Sequence, residues 1–191
     1  MLPLLPEATR FVIMFVRDTG ARPGEVFALR WEYVDWAGRC YRNPTGKTPA
    51  AQRTLLLSDR LMTLLHERHL TADTLASGWV LPSTKTKSGH IEHIAEHAFR
   101  RVRKQLGLPS GLVLYSVRHD FGTSAMAAIG NVSTVGRLMG HNSAVMTLRY
   151  LHPPESESER IRAMIDSRLC TNNVQRVVAI DANERKQSIN G

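Results

Sequence analysis

The chain has 191 residues, and its 25 Lys and Arg residues outnumber its 17 Asp and Glu residues, which gives a formal charge of +8. This length and a hydrophobic fraction of 42% fit one ordinary globular core. The basic charge favours an anionic partner, of which nucleic acid is the commonest. The apolar run from Phe11 to Val16 is too short to cross a bilayer, and Cys40 and Cys170 lie in no metal-ligand spacing. We therefore expect a cytoplasmic protein with no export signal and no membrane anchor.

The first half of the chain predicts helices around a small sheet. Gly20 is typical of a helix end, Pro23 suits the first position of a new helix, and Ser58 is a favourable N-cap. β-Branched and aromatic residues between turn motifs are typical of short strands. The predicted elements are a helix over 8–16, a short helix from 23, an antiparallel sheet of two or three strands between 31 and 57 with its last strand at 53–57, and a helix over 59–68.

The second half of the chain predicts helices only. Apolar residues repeat at helical spacing between Ile91 and Leu106, and Gly107 is typical of the end of such a helix. From 171 onward the sequence is polar and unpatterned, which predicts a mobile tail. The predicted helices are 91–106, 116–129, 133–139, 144–150 and a highly charged helix over 155–169. The fold class is therefore mainly α with a small antiparallel β-sheet (α+β).

The segment from Tyr115 to Tyr150 combines residue types that bind and attack phosphates. A tyrosine near a helix end is usually a packing residue, but it can also act as a covalent nucleophile. A tyrosine phenol titrates near pH ~10, so attack at neutral pH requires positive charge nearby. The candidates for that charge are Arg118, His141 and Arg149.

Arg118 and Arg22 each leave two interpretations open. Arg118 lies in an apolar helix, where a charge is costly unless it is paired. It forms either an ion pair with an acid such as Glu25 or Asp120, or a bidentate clamp on a phosphate. Arg22 precedes a helix start, where backbone N–H groups favour anions, and forms either a salt bridge within the turn or a second phosphate contact. Glu25 is placed to orient a neighbouring basic side chain.

Five short motifs follow one another within residues 8–152 of the chain. They are T-G-A-R-P-G-E-V-F-A-L-R-W at 19–31, G-K-T with a downstream R-T-L-L-L within 46–57, Y-S-V-R-H at 115–119, L-M-G-H-N-S at 138–143, and M-T-L-R-Y at 146–150. In this order they resemble the catalytic domain of the tyrosine recombinase family, of the phage-integrase type. Each motif alone is weak evidence, and the five in order are strong evidence.

The resemblance implies a role for each matching residue. The implied roles are phosphate clamps for Arg22 and Arg118, general acid for Lys47, a further phosphate contact for His141, nucleophile for Tyr150, and support of the first arginine for Glu25. The family pattern at the second arginine is His-x-x-Arg, and here Tyr115 occupies the histidine position. A phenol can still donate a hydrogen bond to a phosphate oxygen, so Tyr115 stays in the predicted site and altered activity is expected. We expect His119 to point to another side of its helix.

The resemblance also implies a function and an organisation. It implies a site-specific DNA recombinase or integrase that cleaves and rejoins duplex DNA through a covalent 3′-phosphotyrosyl intermediate, with no metal, ATP or other cofactor. We expect a catalytic domain over 1–170 and a tail over 171–191, without the core-binding domain that usually precedes the catalytic domain. A full-length protein would form a homotetramer on DNA, whereas the free fragment is expected to be a monomer that binds DNA weakly. The helix over 155–169 either docks on a neighbouring subunit or packs against its own domain.

Two rival functions are left open. One is a non-catalytic DNA-binding module in which 116–150 acts as a helix-turn-helix, and the other is a type IB topoisomerase-like strand-passage enzyme. His93 and His97 could share a metal ion, but no carboxylate or cysteine completes a ligand spacing, so no metal site is predicted. Four basic residues of the 91–106 helix either contact backbone phosphates or form a solvated face. They are Arg100, Arg101, Arg103 and Lys104.

Overall fold

The computed structural model of the chain describes residues 1–44, 52–70, 76–151 and 162. Its α-helices are α1 (Glu7–Thr19), α2 (Pro23–Phe27), α3 (Asp59–His69), α4 (Glu96–Gln105), α5 (Leu114–Ile129), α6 (Val132–Met139) and α7 (Ala144–Leu148). These elements belong to one compact unit, Met1–Leu151. Lys47, the predicted helix over 155–169 apart from residue 162, and the tail from 171 lie outside the described residues.

Two glycines in the left-handed conformation end the helices that border the candidate site. Gly20 follows α1 with φ 65°, and Gly140 follows α6 with φ 67°. Glycine adopts such a φ without the steric penalty that a Cβ imposes. The predicted end of α1 at Gly20 is confirmed, and the chain turns sharply at both positions.

The predicted sheet is confirmed and contains three antiparallel strands in the order β1 (Val34–Asp35), β2 (Cys40–Arg42) and β3 (Thr54–Leu56). Tyr41 of β2 pairs with Val34 on one side and with Leu55 on the other. Leu55 is buried, whereas its two neighbours in β3 are exposed. Since side chains two apart face the same side of a strand, Arg53, directly before β3, shares the buried side with Leu55.

The predicted start of the helix in the 91–106 region is wrong, because residues 91–95 are not helical. The backbone N–H of Ile91 donates to the carbonyl of Leu81 at 3.0 Å, and that of Ala95 donates to the Oγ1 of Thr9 on α1 at 3.2 Å. These long-range hydrogen bonds hold the segment in a non-helical form before α4 begins. The tertiary contacts therefore override the local helical pattern.

The candidate site lies where two hydrophobic clusters meet. The main core surrounds α1, whose Phe15 and Val16 are fully buried. A smaller cluster joins α5, α6 and the residues after α7, and it consists of Ala125, Met126, Val135, Met139 and Tyr150. Arg118 on α5 connects the two, because it bonds to the backbone at the end of α1 and at the end of α6.

Candidate active site

The C-terminal end of α6 receives three guanidinium groups on three successive backbone carbonyls. The donor and acceptor pairs are Arg53 Nε with the carbonyl of Leu138 at 2.8 Å, Arg118 Nη2 with that of Met139 at 2.7 Å, and Arg22 Nη2 with that of Gly140 at 2.7 Å. The last carbonyls of a helix lack partners within the helix and carry the negative end of its dipole. This helix end therefore gathers three arginines that are far apart in the sequence.

Arg118 is the most deeply placed of the three. Only 1% of its surface is exposed. Arg118 lies near the start of α5, and its side chain points toward the interior of the domain. Besides the carbonyl of Met139, its guanidinium donates to the carbonyl of Gly20. A guanidinium has five N–H groups, so these two bonds fix its plane while donors remain.

The two interpretations of Arg118 are separated by its surroundings. Among the described residues, which include Glu25 and Asp120, no carboxylate oxygen lies within the 4.0 Å limit of an ion pair with Arg118. Burial lowers the pKa of Arg118, and the charge of nearby Arg22 lowers it further. Within the part of the chain that the structure describes, the charge of this guanidinium is therefore buried without a neutralising acid in direct contact.

Arg22 occupies the N-cap position of α2, and 31% of its side chain is exposed. Its Nη1 donates to Oε1 of Glu25 at 3.1 Å, and its backbone N–H donates to Oε2 at 2.8 Å. The salt bridge that the sequence allowed is therefore present. The guanidinium of Arg22 donates one hydrogen bond to Glu25 and one to the carbonyl of Gly140. Because a guanidinium has five N–H groups, Arg22 can also donate to a further anion.

His141 begins the turn that links α6 to α7. Its Nδ1 lies 2.8 Å from the Oγ1 of Thr147, which fixes the plane of the ring. Burial lowers the pKa of His141 to about 4, and the charges of Arg118 and Arg22 are the next causes. The imidazole is therefore neutral at pH 7 and can donate one hydrogen bond without adding positive charge to the site.

Tyr150 lies just after α7 and is only 4% exposed. Its ring is nearly parallel to that of His141, at 8° and 6.0 Å between centroids. The opposite wall is Gly122 on α5, where an added Cβ would lie 2.7 Å from the Cε1 and Cζ of Tyr150. Burial raises the pKa of Tyr150, while the charges of Arg118 and Arg149 lower it. The phenol is protonated at neutral pH and covered.

His119 lies beside Tyr150, although the sequence analysis gave it no role in the site. Its ring lies 5.1 Å from that of Tyr150, centroid to centroid. His119 and Gly122 are three residues apart on α5 and so share a face, and Tyr150 packs along that face. Tyr115, at the family's histidine position, is 52% exposed and lies on the same helix one turn before Arg118. The structure therefore places an imidazole beside Tyr150, from a position that the sequence analysis had set aside.

The basic residues of α4 divide into two groups. Arg103 donates to the carbonyl of Leu112 at 2.9 Å and is partly buried. Arg100 is exposed, and its Nε lies 3.7 Å from the Oε2 of Glu96; Arg101 and Lys104 are exposed as well. A DNA-binding role for these four remains a prediction, and Arg103 has a structural role in addition.

Two residues of the site were not assigned from the sequence. Arg53 was noted only as part of the R-T-L-L-L motif, although an arginine before an apolar strand is a buried-charge signal of the same kind as Arg118. Gly122 stands in the middle of a helix, where glycine is unfavourable. That unfavourable placement indicates a close packing contact, here with Tyr150.

Within the part of the chain that the structure describes, no group of three or more His, Cys, Asp or Glu side chains could hold a metal ion. Among the helices formed by these described residues, none is long and apolar enough to cross a membrane. His93 and His97 line a shallow groove beside Ile94 and Arg101.

A mainly helical domain with a three-stranded antiparallel sheet in this arrangement is the catalytic-domain fold of tyrosine recombinases. The chain belongs to the phage integrase family, whose model matches residues 4–157. The integrase of Escherichia phage 186 is 27% identical over 143 residues, which are 74% of this chain and 36% of that integrase. The integrase of Haemophilus phage HP1 is 31% identical over 75 residues, which are 38% of this chain and 22% of that integrase. The chain thus spans well under two thirds of either relative.

Solved structures share the fold at low sequence identity. The Tn1549 transposon integrase in complex with circular intermediate DNA has a TM-score of 0.63 and 19% identity, with 82% of this chain and 59% of that chain covered. The XerH site-specific recombinase bound to its difH substrate, in a pre-cleavage complex, has a TM-score of 0.59 and 20% identity, with 79% and 44% covered. The XerA recombinase has a TM-score of 0.58 and 18% identity, with 83% and 61% covered.

Proposed function

We propose that this chain is the catalytic domain of a site-specific recombinase or integrase that cleaves and rejoins duplex DNA through a covalent 3′-phosphotyrosyl intermediate. In this proposal Tyr150 is the nucleophile, Arg22 and Arg118 bind the scissile phosphate, and His141 supplies a further hydrogen bond. Lys47, which lies outside the described residues, is the general acid by family resemblance. The catalytic domain extends to about the end of the predicted helix over 155–169.

One observation carries the proposal, which is the buried charge of Arg118. A charge in the protein interior is costly unless it is paired with an opposite charge. Arg118 is held by two carbonyls and by no carboxylate of the described chain, and Arg22 adds a second positive charge nearby. A phosphodiester is the anion that a fork-shaped guanidinium suits best. Burial raises the pKa of Tyr150 and the charge of Arg118 acts in the opposite direction, so the phenol and this guanidinium are close neighbours.

The chemistry follows from these positions. The Oη of Tyr150 attacks the phosphorus and forms a Tyr–O–P bond, while the bond from phosphorus to the 5′ oxygen breaks. The phenol proton passes to a ring nitrogen of a neighbouring imidazole, and His119 and His141 are the candidates because their rings lie beside that of Tyr150. Lys47 protonates the leaving 5′ oxygen. A 5′-hydroxyl attacking the phosphotyrosine reverses these steps, so the energy of the broken bond is conserved and ATP is not needed.

The arginines stabilise the charge that develops on the non-bridging oxygens. Donors aimed at such charge are worth about 3–4 kcal/mol each in other enzymes. Two guanidinium groups can take the place of the cations that other phosphoryl-transfer enzymes use. In the proposal this charge, rather than a metal ion, compensates the phosphate, and Arg22 and Arg118 supply it.

The buried position of Tyr150 adds one requirement. A ring that is 4% exposed cannot reach a phosphodiester until its surroundings open. The segment that carries it is short, since α7 has five residues and its Val145, Met146 and Leu148 are exposed. DNA binding is therefore expected to shift this segment and uncover the phenol.

Relatives support the choice of partner. The similar Tn1549 integrase and XerH recombinase structures are complexes with DNA, and the charge of +8 suits such a partner. We propose duplex DNA as the partner of this chain and a homotetramer on DNA for the full-length protein, with a monomer for the free fragment. A cytoplasmic location is part of the same proposal.

The test is covalent capture of DNA. A pool of nicked suicide duplexes with randomised sequence is incubated with the protein, separated on denaturing gels, and the adducts are sequenced. The wild type is expected to give a shifted band and Tyr150→Phe none, with non-covalent binding of the Phe variant nearly unchanged. Lys47→Ala is expected to lose capture and to regain it on DNA with 5′-bridging phosphorothiolate, a better leaving group. An adduct formed by Tyr150→Phe would refute the assignment of the nucleophile.

Covalent capture, native gels and plasmid relaxation together separate the rival functions. A DNA-binding module would shift DNA in native gels only, with no covalent band. A type IB topoisomerase-like enzyme would relax supercoiled plasmid without sequence preference, whereas a recombinase would enrich particular sequences from the randomised pool.

A further inference from the structure

Arg53 is enclosed by the protein, and its charge is engaged at the centre of the site. Only 7% of its side chain is exposed. Its Nη1 donates to Oε1 of Glu25 and its Nη2 to Oε2, each at 3.0 Å, and its Nε donates to the carbonyl of Leu138 at 2.8 Å. This is a two-pronged guanidinium–carboxylate pair, the strongest hydrogen-bonded form of an ion pair.

Glu25 is the link between Arg53 and Arg22. Each of its oxygens accepts one hydrogen bond from the fork of Arg53, and each accepts another from Arg22, at 3.1 Å from Nη1 and 2.8 Å from the backbone N–H. A carboxylate offers about four lone-pair positions, so Glu25 is fully used. The orientation of Glu25 therefore depends on Arg53, and the orientation of Arg22 depends in turn on Glu25.

The direction of the Glu25 pKa shift also indicates that Glu25 depends on Arg53. Burial by itself raises the pKa of Glu25, but the hydrogen bonds and charge of Arg53, followed by the hydrogen bonds of Arg22, hold it below its usual value. If Arg53 were absent, the single negative charge of Glu25 would neutralise Arg22 alone. With Arg53 present the charge is shared, and Arg22 keeps positive charge for a phosphate.

We propose that Arg53 is a positioning residue of this active site, which aims Arg22 at the scissile phosphate through Glu25 and fastens the start of β3 to the end of α6. The inference rests on the proposed function. Arg53 acts through Glu25 and does not touch DNA, because its guanidinium is enclosed and directed at Glu25 and Leu138.

The test compares Arg53→Met with wild type in the covalent-capture assay across pH. Loss of the fork is expected to lower the rate of adduct formation about 10²-fold, the typical cost of a misaligned catalytic group. Arg53→Met is also expected to gain an acid limb, a fall in rate on lowering the pH that begins at a higher pH than any such fall in wild type, because Glu25 loses the partner that most favours its charged form.

The acid limb distinguishes positioning from a merely structural role. The charged groups that face Glu25 are Arg22, Arg53 and, at longer range, Arg118, so the limb is assigned to Glu25. Adding Glu25→Gln to Arg53→Met should therefore abolish the limb while the rate stays low. Arg53→Lys restores the charge without the fork, and an intermediate rate is expected.

A matched control is Arg68, whose side chain is 12% exposed and forms an ion pair with Glu7 away from the site. Arg68→Met should lower the thermal midpoint and leave the rate and its pH profile unchanged for the folded protein. Wild-type rates and a wild-type pH profile in Arg53→Met, or wild-type rates in Arg53→Lys if the first variant fails to fold, would overturn the inference and leave the proposed function intact. Absence of any adduct with wild type would instead remove the proposed function, and the inference with it.

Discussion

Replacement of Gly122 by alanine tests whether Tyr150 lies in a slot that only glycine leaves open. An ideal Cβ at this position would lie 2.7 Å from the Cε1 and Cζ of Tyr150 and 2.9 Å from its Cε2. Carbon atoms pack at about 3.5–4.0 Å, so the ring or the helix must move by roughly 1 Å. Gly122 is buried within α5, and its surroundings leave little room for such a shift.

Two opposing effects set the magnitude. Overpacking of a close-packed site costs about 1–3 kcal/mol, while exchanging glycine for alanine within a helix gains about 1 kcal/mol. The net expectation is a loss of about 0–2 kcal/mol. At about 2–4 °C per kcal/mol for a domain of this size, the thermal midpoint should fall by roughly 0–8 °C, although alanine is the better helix former.

The assay is a double-mutant cycle measured by urea unfolding. In a Tyr150→Ala background the ring is gone, so Gly122→Ala should stabilise by about 1 kcal/mol, which corresponds to a coupling energy of about 1–3 kcal/mol with Tyr150. Ser124→Ala, an exposed position on the same helix, controls for helix propensity. A coupling energy near zero would refute the reasoning, because the ring would not be the constraint on Gly122.

Three further predictions concern the charged groups. Arg118→Met should abolish covalent capture yet leave the free energy of unfolding unchanged or raise it by about 1–4 kcal/mol, since a buried charge is replaced by apolar volume; urea unfolding and capture gels check both, and a large loss of stability would show that Arg118 is structural. The pKa of His141 is lowered to about 4 from 6.5, so between these values the unfolded chain binds a proton that the folded chain excludes. Stability should fall by about 1–2 kcal/mol as the pH drops through that window, after discounting for partial exposure, and His141→Gln should remove this part of the pH dependence of the thermal midpoint. Tyr115→His, which restores the family pattern, should raise the rate of adduct formation and Tyr115→Phe should lower it; equal rates for both variants and wild type would remove Tyr115 from the site.

Local chemistry made most of the fold predictable. Gly20 and Ser58 mark helix boundaries that the structure confirms, with Ser58 accepting a hydrogen bond from the N–H of Leu61 at the start of α3. Such signals act within one turn and do not depend on the rest of the chain. The start of α4 was not predictable in this way, because it is set by bonds to Leu81 and Thr9 that come from distant segments.

The candidate site was predictable in its residue types more than in its contacts. Family motifs singled out Arg22, Arg118 and Tyr150 by spacing, but the spacing alone did not show that Arg118 would bond to carbonyls rather than to an acid. His119 was set aside because adjacent helical residues point in different directions, an argument that fails when the partner lies between the two faces. Arg53 was overlooked, since its importance depends on Glu25 being 28 positions away in sequence and adjacent in space.

The carbonyls at the end of α6 also bear on the entropy of recognition. Immobilising an arginine side chain costs up to about 2 kcal/mol of rotamer entropy. Arg118 and Arg22 are already immobilised by folding, on Met139 and Gly140, so under the proposed function DNA does not have to order them again. For two side chains the saving is about 3–4 kcal/mol, or roughly two to three powers of ten in affinity. Folding has therefore already removed the rotamer entropy of these two side chains, whereas a flexible basic surface would lose that entropy each time it bound DNA.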